Sequence, residues 1–235
     1  MSADIRAVCF DLDGTLLRDD HVDGVVRAVA DELAMRYPGV DAAALAEANE
    51  NVWWDYWPAV GDAWMRGEVP GDEVPTEVWR RSLAQVGVTD ATAATEAFEL
   101  HTALEGNAFA LYPEAMDVLA ALRDRGIRTA VITNGPSGLQ RSKLMAVDLA
   151  EGFDAVLVSG EVGIQKPDAA IFALAVERLG VSPGEALHIG DNQVADVGGA
   201  RGAGLTAVWI DRNGAALASE PHHVVDDLRG LLPLV

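Results

Sequence analysis

Residues 7–16 read AVCFDLDGTL, four apolar residues followed by Asp11-Leu12-Asp13-Gly14-Thr15-Leu16. An apolar run of strand length that is continuous rather than alternating belongs to a strand covered on both faces, as in a parallel sheet. Four more runs share this character: Ala130–Ile132, Ala155–Val158, Ala186–Ile189 and Ala207–Ile210. Helical patterns separate these four. One runs from Pro113 to Arg125, with proline in its first turn, Gly126 just past its end, and Val118, Leu119 and Leu122 on its apolar face. A second covers Ala169–Leu179 and stops at Gly180, a third starts near Val194, and Asp226–Val235 reads as a closing helix with a short tail. Strands alternating with helices predict an α/β protein with a doubly wound, Rossmann-like parallel sheet.

The stretch from Leu17 to Leu111 breaks this alternation. It contains no convincing strand and reads as helices punctuated by Pro38-Gly39, Pro70-Gly71 and Gly87. Val22, Val25, Val26, Val29 and Leu33 recur at helical spacing and define one apolar face. A block of this size is too long for a crossover helix. The expected organisation is therefore a core of residues 1–16 and 112–235 carrying an all-helical insert, residues 17–111.

Composition narrows the function. The chain has 235 residues, 50% hydrophobic and 23% charged, so it can bury a core. Seventeen basic against 37 acidic residues leave a net charge of −20, which repels nucleic-acid phosphates and anionic lipid. No apolar stretch approaches the ~18 residues of a membrane span, and Met1–Arg6 shows no secretion signal. Cys9, the single cysteine, allows no internal disulfide and fits a reducing compartment. These features predict a soluble cytoplasmic protein with neither a nucleic-acid nor a membrane partner.

Ligands bind beyond the carboxyl ends of the strands in open parallel sheets. The residues there are Asp11 and Asp13, then Thr133-Asn134-Gly135, then Lys166-Pro167, then Gly190-Asp191 with Asp196 five positions on. Four carboxylates meeting on one rim repel, by about 4 kcal/mol for a pair ~4 Å apart at an effective dielectric near 20. Lys166 alone does not balance them. An all-oxygen donor set selects a hard cation such as Mg²⁺. Cation, lysine and donors together suit a dianionic phosphate, which the nearest carboxylate can attack.

Asp11–Leu16, Thr133–Asn134, Lys166–Pro167 and Gly190–Asp191 through Asp196 resemble the four ordered motifs of the haloacid dehalogenase superfamily, and the insert resembles that family's smaller cap. Within it, Ile132–Arg212 is similar to the branch of pyrimidine 5′-nucleotidases and N-acylneuraminate-9-phosphatases. The shared wording is Thr-Asn-Gly, Phe153-Asp154, Ser159–Gly163 and Trp209, while Asn192 departs from the serine of many members. The resemblance implies a Mg²⁺-dependent phosphomonoesterase acting on a small phosphate ester. Asp11 would be the nucleophile and Asp13 the acid and base. Asp11, Asp191 and the main-chain carbonyl of Asp13 would hold Mg²⁺, with Asp196 acting behind them through water or on Lys166. Thr133, the Asn134 amide and Lys166 would bind the phosphoryl oxygens.

Other chemistries share this fold. Haloacid dehalogenation is disfavoured because a halide needs no proton from Asp13. Phosphonate hydrolysis through a cap Schiff base is disfavoured because the insert has no lysine. A phosphomutase would use the same core residues. A non-catalytic binding module would have no reason to keep all four carboxylates.

Five of the six tryptophans, Trp53, Trp54, Trp57, Trp64 and Trp79, lie in the insert. Trp53 and Trp57 share a helical face, so packing is the default, with one or two lining the cleft as the alternative. Trp53, Trp54, Trp57 and Trp64, with Arg18 and Arg66, are the candidate cleft residues. They would suit a monophosphate, either a nucleoside 5′-monophosphate or a sugar phosphate; the leaving group and the number of subunits stay open. Cys9, His188 and the pair His222–His223 read as structural.

Overall fold

The computed structural model describes residues 4–235; of the stretch Met1–Arg6 read for a signal sequence, Met1–Ala3 lie outside the described residues. Strands form at all five apolar runs: β1 (Ala7–Phe10), β2 (Arg128–Thr133), β3 (Ala155–Val158), β4 (Ala186–Gly190) and β5 (Thr206–Ile210). A sixth, β6 (His223–Val225), completes an all-parallel sheet of order β3-β2-β1-β4-β5-β6. The sequence reading lacks β6 because this edge strand has three residues, mostly exposed, and so no continuous apolar run marks it.

The insert holds α1 (Val22–Arg36), α2 (Ala42–Met65), α3 (Glu73–Gln85) and α4 (Ala93–Ala108). Val25, Val29 and Leu33 of α1 pack with Leu45, Trp79, Leu83 and Ala97 into a cluster of their own. Val22, placed on that face by periodicity, is 43% exposed. The chain enters and leaves the insert side by side. Leu17 bridges Leu111, Arg18 N donates to Ala110 O, and Tyr112 N donates to Leu16 O, the last two at 2.9 Å.

Around the sheet lie α5 (Ala115–Asp124), α6 (Ser137–Ala146), the single turn α7 (Ser159–Val162), α8 (Ala169–Leu179) and the short α9 (Gly199–Gly202). Successive residues of β1 serve opposite faces, as the period of a strand requires. Val8 and Phe10 pack with Val118, Leu122 and Leu144, whereas Ala7 and Cys9 pack with Ile171, Phe172 and Val176. The helix expected from Pro113 begins at Ala115, and the one ending before Gly180 does so with that glycine at φ +64°.

Two expected helices form with other hydrogen-bond patterns. The segment near Val194 is a π-helical turn, Gln193–Gly198, running into α9. Asn192 caps it, accepting from Val194 N and Ala195 N, a role that serine fills equally well. The closing segment is a 3₁₀ helix, Leu228–Leu234, because Gly230 and Pro233 within seven residues deny it a continuous α-helical ladder. No helix among the described residues is long and apolar enough to cross a membrane.

Candidate active site

Strand order reverses where β1 meets β4, so the crevice beyond their carboxyl ends is the place for a ligand. Phe10 stands opposite both Val131 and Ile189. Asp11 therefore emerges level with the ends of β2 and β4, and its N–H donates to Ile189 O at 2.9 Å. Lys166 Nζ lies 2.6 Å from Asp11 Oδ1 and 2.7 Å from Asp196 Oδ1, all three residues being buried. The Asn134 side chain fixes that lysine: its Oδ1 accepts from Lys166 N and its Nδ2 donates to Lys166 O, both at 2.9 Å. Thr133 ends β2 and is 1% exposed.

The oxygens of Asp196 are occupied. Oδ1 meets Lys166 and His188 Nε2, and Oδ2 accepts from Asn192 N. Carboxylate oxygens of Asp11, Asp191 and Asp196 lie within 4.8 Å of one another, and Asp191 makes no side-chain hydrogen bond among the described residues. Burial raises the Asp11 carboxyl well above its ordinary range, with Asp196 and Asp191 adding to this and Lys166 opposing it. Desolvation beside its neighbours, then Asp196, lifts Asp191 to about 6. Burial also opposes charge on Asp196 and Lys166, but Lys166 and His188 outweigh it for Asp196, and Asp11 and Asp196 outweigh it for Lys166, holding Asp196 below and Lys166 above their usual values. Asp11 and Asp191 thus form an all-oxygen pair short of positive charge. They fit a hard divalent cation.

Asp13 has a different environment. It faces the cleft, where Lys143 Nζ approaches both its oxygens at 2.9 Å and Gln140 Nε2 donates to Oδ2 at 3.2 Å. Between the two aspartates and the insert the chain turns tightly: Leu16 N and Leu17 N both donate to Leu12 O. Arg212 braces this turn, with Nη2 donating to Thr15 O and Nη1 to Glu114 Oε1, both at 2.9 Å. Trp209 Nε1 similarly holds Asp191 O at 2.9 Å.

Gly14 is required here twice over. Its φ is +74°, and a Cβ would stand 2.8 Å from Asp191 Oδ2. Gly14→Ala should lower stability by about 1–3 kcal/mol, from left-handed strain together with displacement of Asp191. Urea denaturation of the two proteins measures this, and an unchanged midpoint would show that the turn relaxes freely.

Above the carboxyl edge, the insert and the core enclose a cavity of about 870 Å³. Asp13, Asn134 and Lys143 line its floor, and Trp53, Trp54, Trp57 and Trp64 all line it from α2. Trp53 and Trp57 stack with centroids 5.4 Å apart, and Trp64 stands nearly perpendicular to both. Packing and lining are therefore not alternatives, since the same rings do both. Trp79 is buried in the insert's core. Arg18 and Arg66, expected in the cleft, are not among its lining. Each is turned to a nearby acid, Arg18 to Asp20 and Arg66 to Glu68, because a carboxylate two residues away is the nearest partner.

His188 is buried as expected, but it contacts Asp196 and so buttresses the site. Cys9 is buried, and burial pushes its thiol up to about 12. His222 Nδ1 accepts from Ala207 N, a structural role. The sequence reading passed over Lys143, Gln140 and Arg212 as site residues. For Lys143 a signal exists: it and Lys166 are the only lysines in a chain with fifteen arginines, and both pair with rim aspartates.

The sequence matches the haloacid dehalogenase-like hydrolases over residues 5–204. It is 38% identical to a phosphoserine phosphatase of Thermus thermophilus, covering 96% of this chain and 95% of that protein. It is 32% identical to the human N-acylneuraminate-9-phosphatase over 69% of this chain and 68% of the relative, so the branch likeness read from Ile132–Arg212 has only weak support. Among solved structures, a phosphatase from Thermococcus onnurineus superposes with TM-score 0.72 at 29% identity, over 98% of this chain and 97% of the other. A dehalogenase superposes with TM-score 0.74 at 26% identity, over 100% and 99%.

Proposed function

The chain belongs to the haloacid dehalogenase-like hydrolase family, and from that premise we propose that this phosphatase cleaves phosphomonoesters of small metabolites by way of a phosphorylated Asp11, with Mg²⁺ as cofactor. The observation carrying this reading is the division of labour between two carboxylates two residues apart. Asp11 is buried against Lys166, while Asp13 faces the cavity against Lys143 and Gln140. Carboxylates in such different environments take different roles.

Asp11 Oδ attacks phosphorus as the ester P–O bond breaks, and Asp13 gives its proton to the departing oxygen. Asp13 then takes a proton from water, whose oxygen attacks phosphorus, releasing inorganic phosphate and restoring Asp11. Lys143 and Gln140 hold the Asp13 carboxyl at the cavity through both halves. Thr133, the Asn134 main chain and Lys166 bind the phosphoryl oxygens, and Asp196 holds Lys166 in place. Asp11, Asp191 and the Asp13 carbonyl would hold Mg²⁺, which would supply charge neutralisation for the phosphoryl group. The presence of Asp13 and its two partners favours phosphate over halide release, since a halide needs no proton donor.

Phosphate release from a panel of phosphomonoesters tests this. Activity should require Mg²⁺, fall by about a hundredfold or more in excess chelator, and return poorly with Ca²⁺, whose looser shell misplaces the nucleophile. Full activity in chelator, or release of halide from 2-haloacids but no phosphate from esters, would overturn the reading.

A further inference from the structure

The cavity that reaches Asp13 has an unusual lining for an enzyme handling a dianion. Asp13, Asp23, Asp31, Glu47, Glu50 and Glu105 face it against two cations, Arg27 and Lys143, and Lys143 is already paired with Asp13. Phosphate itself is provided for at the floor. Beyond the phosphate, the walls set acids and indole rings among aliphatic side chains. A leaving group with its own negative charge would be repelled by these walls, and a neutral one would gain nothing from the acids.

A second observation points the same way. The Asn49 side chain, on α2, makes no hydrogen bond among the described residues and lines this cavity and the one adjoining it, the residue being 7% exposed. An unpartnered amide lining a cavity offers its oxygen and its N–H groups to a ligand. Beside it Trp53 and Trp57 are stacked and Trp64 stands across them, forming an aromatic corner. Trp64 Nε1 donates to Gly71 O at 2.9 Å, so the polar end of that ring is already satisfied. Indole faces, a free amide oxygen and carboxylates at the mouth are the groups that recognise an ammonium ion.

We propose that the cleft selects phosphomonoesters of amino alcohols, binding the phosphate at Asp11 and Lys166 and the substrate's ammonium group between Asn49 and the Trp53–Trp57–Trp64 corner. This deepens the phosphatase reading and rests on it for the orientation of the ester.

The sharpest comparison is 2-aminoethyl phosphate against 2-hydroxyethyl phosphate, which match in size and differ in charge. Wild-type kcat/KM should favour the amine by about fivefold or more, and phosphoglycolate should be poorer than either. A ratio below about fivefold, or phosphoglycolate as the best of the three, overturns the proposal. Asn49→Leu and Trp57→Leu should each bring the ratio toward unity, and ratios equal to wild type in both folded variants would also overturn it. Calorimetric binding of the same two esters to Asp11→Asn enzyme, loaded with Mg²⁺, separates the two readings. Preference for the amine in binding without hydrolysis of any ester by wild type would sink the phosphatase reading and leave the cation site standing. Hydrolysis of both esters at equal kcat/KM would do the reverse.

Discussion

Asp11→Asn will abolish turnover while leaving the fold in place. The amide is isosteric with the carboxylate and still accepts from Lys166 Nζ, now 2.6 Å from Asp11 Oδ1, so the packing that holds β1 and its turn is preserved. It cannot attack phosphorus. Loss of a covalent nucleophile typically costs several orders of magnitude, and a fall of about 10⁴-fold or more in kcat is expected. Burial already raises the Asp11 carboxyl, so a neutral side chain at this position should not destabilise the protein. Two measurements check this together: phosphate release, and acid-quench trapping of a phosphorylated protein. Wild type should show the covalent species and the variant none. A well-folded Asp11→Asn enzyme with substantial turnover would place the nucleophile elsewhere.

Lys166→Met should give the largest loss of stability. Lys166 is 4% exposed and lies between Asp11 and Asp196, 2.6 and 2.7 Å from their oxygens. Replacing it removes the cation and leaves two buried carboxylates facing each other, and breaking a buried pair in this way costs about 3–5 kcal/mol. Turnover should be lost as well, because the same ammonium is proposed to bind the phosphoryl oxygens. Adding Asp196→Asn removes one orphaned charge and should recover part of the stability but none of the activity, the signature of direct coupling in a double-mutant cycle. Denaturation of the four proteins decides the matter. A loss below about 1 kcal/mol, typical of an exposed ion pair, would mean that the triad is far better solvated than its burial implies.

Sequence reading succeeded where chemistry follows a buried strand directly. The runs before Asp11, Thr133 and Asp191 are continuous and apolar, so each strand end could be placed to within one residue. Its failures share another cause. The partner of Asp13 is Lys143, 130 positions away on a helix whose inward face depends on how α6 packs. The brace of the Asp11–Leu16 turn is Arg212, nearly two hundred positions away. Arg18 and Arg66 are the basic residues the sequence offers near the expected cleft, yet each has a carboxylate two residues away to satisfy it.

By itself, then, the sequence determined the parallel strands, the helices between the first two of them, and the placing of Asp11 and Asp191 just past β1 and β4, because these depend on local periodicity and on the continuity of buried strands. Only the tertiary structure decided which groups partner those aspartates. It also decided that Asp196 is saturated by Lys166, His188 and Asn192 while the Asp191 side chain makes no hydrogen bond among the described residues, and that four tryptophans, Asn49 and six acids face one cavity. Side-chain partnership across more than a hundred residues is set by how rigid elements pack, and a linear pattern carries no record of that packing.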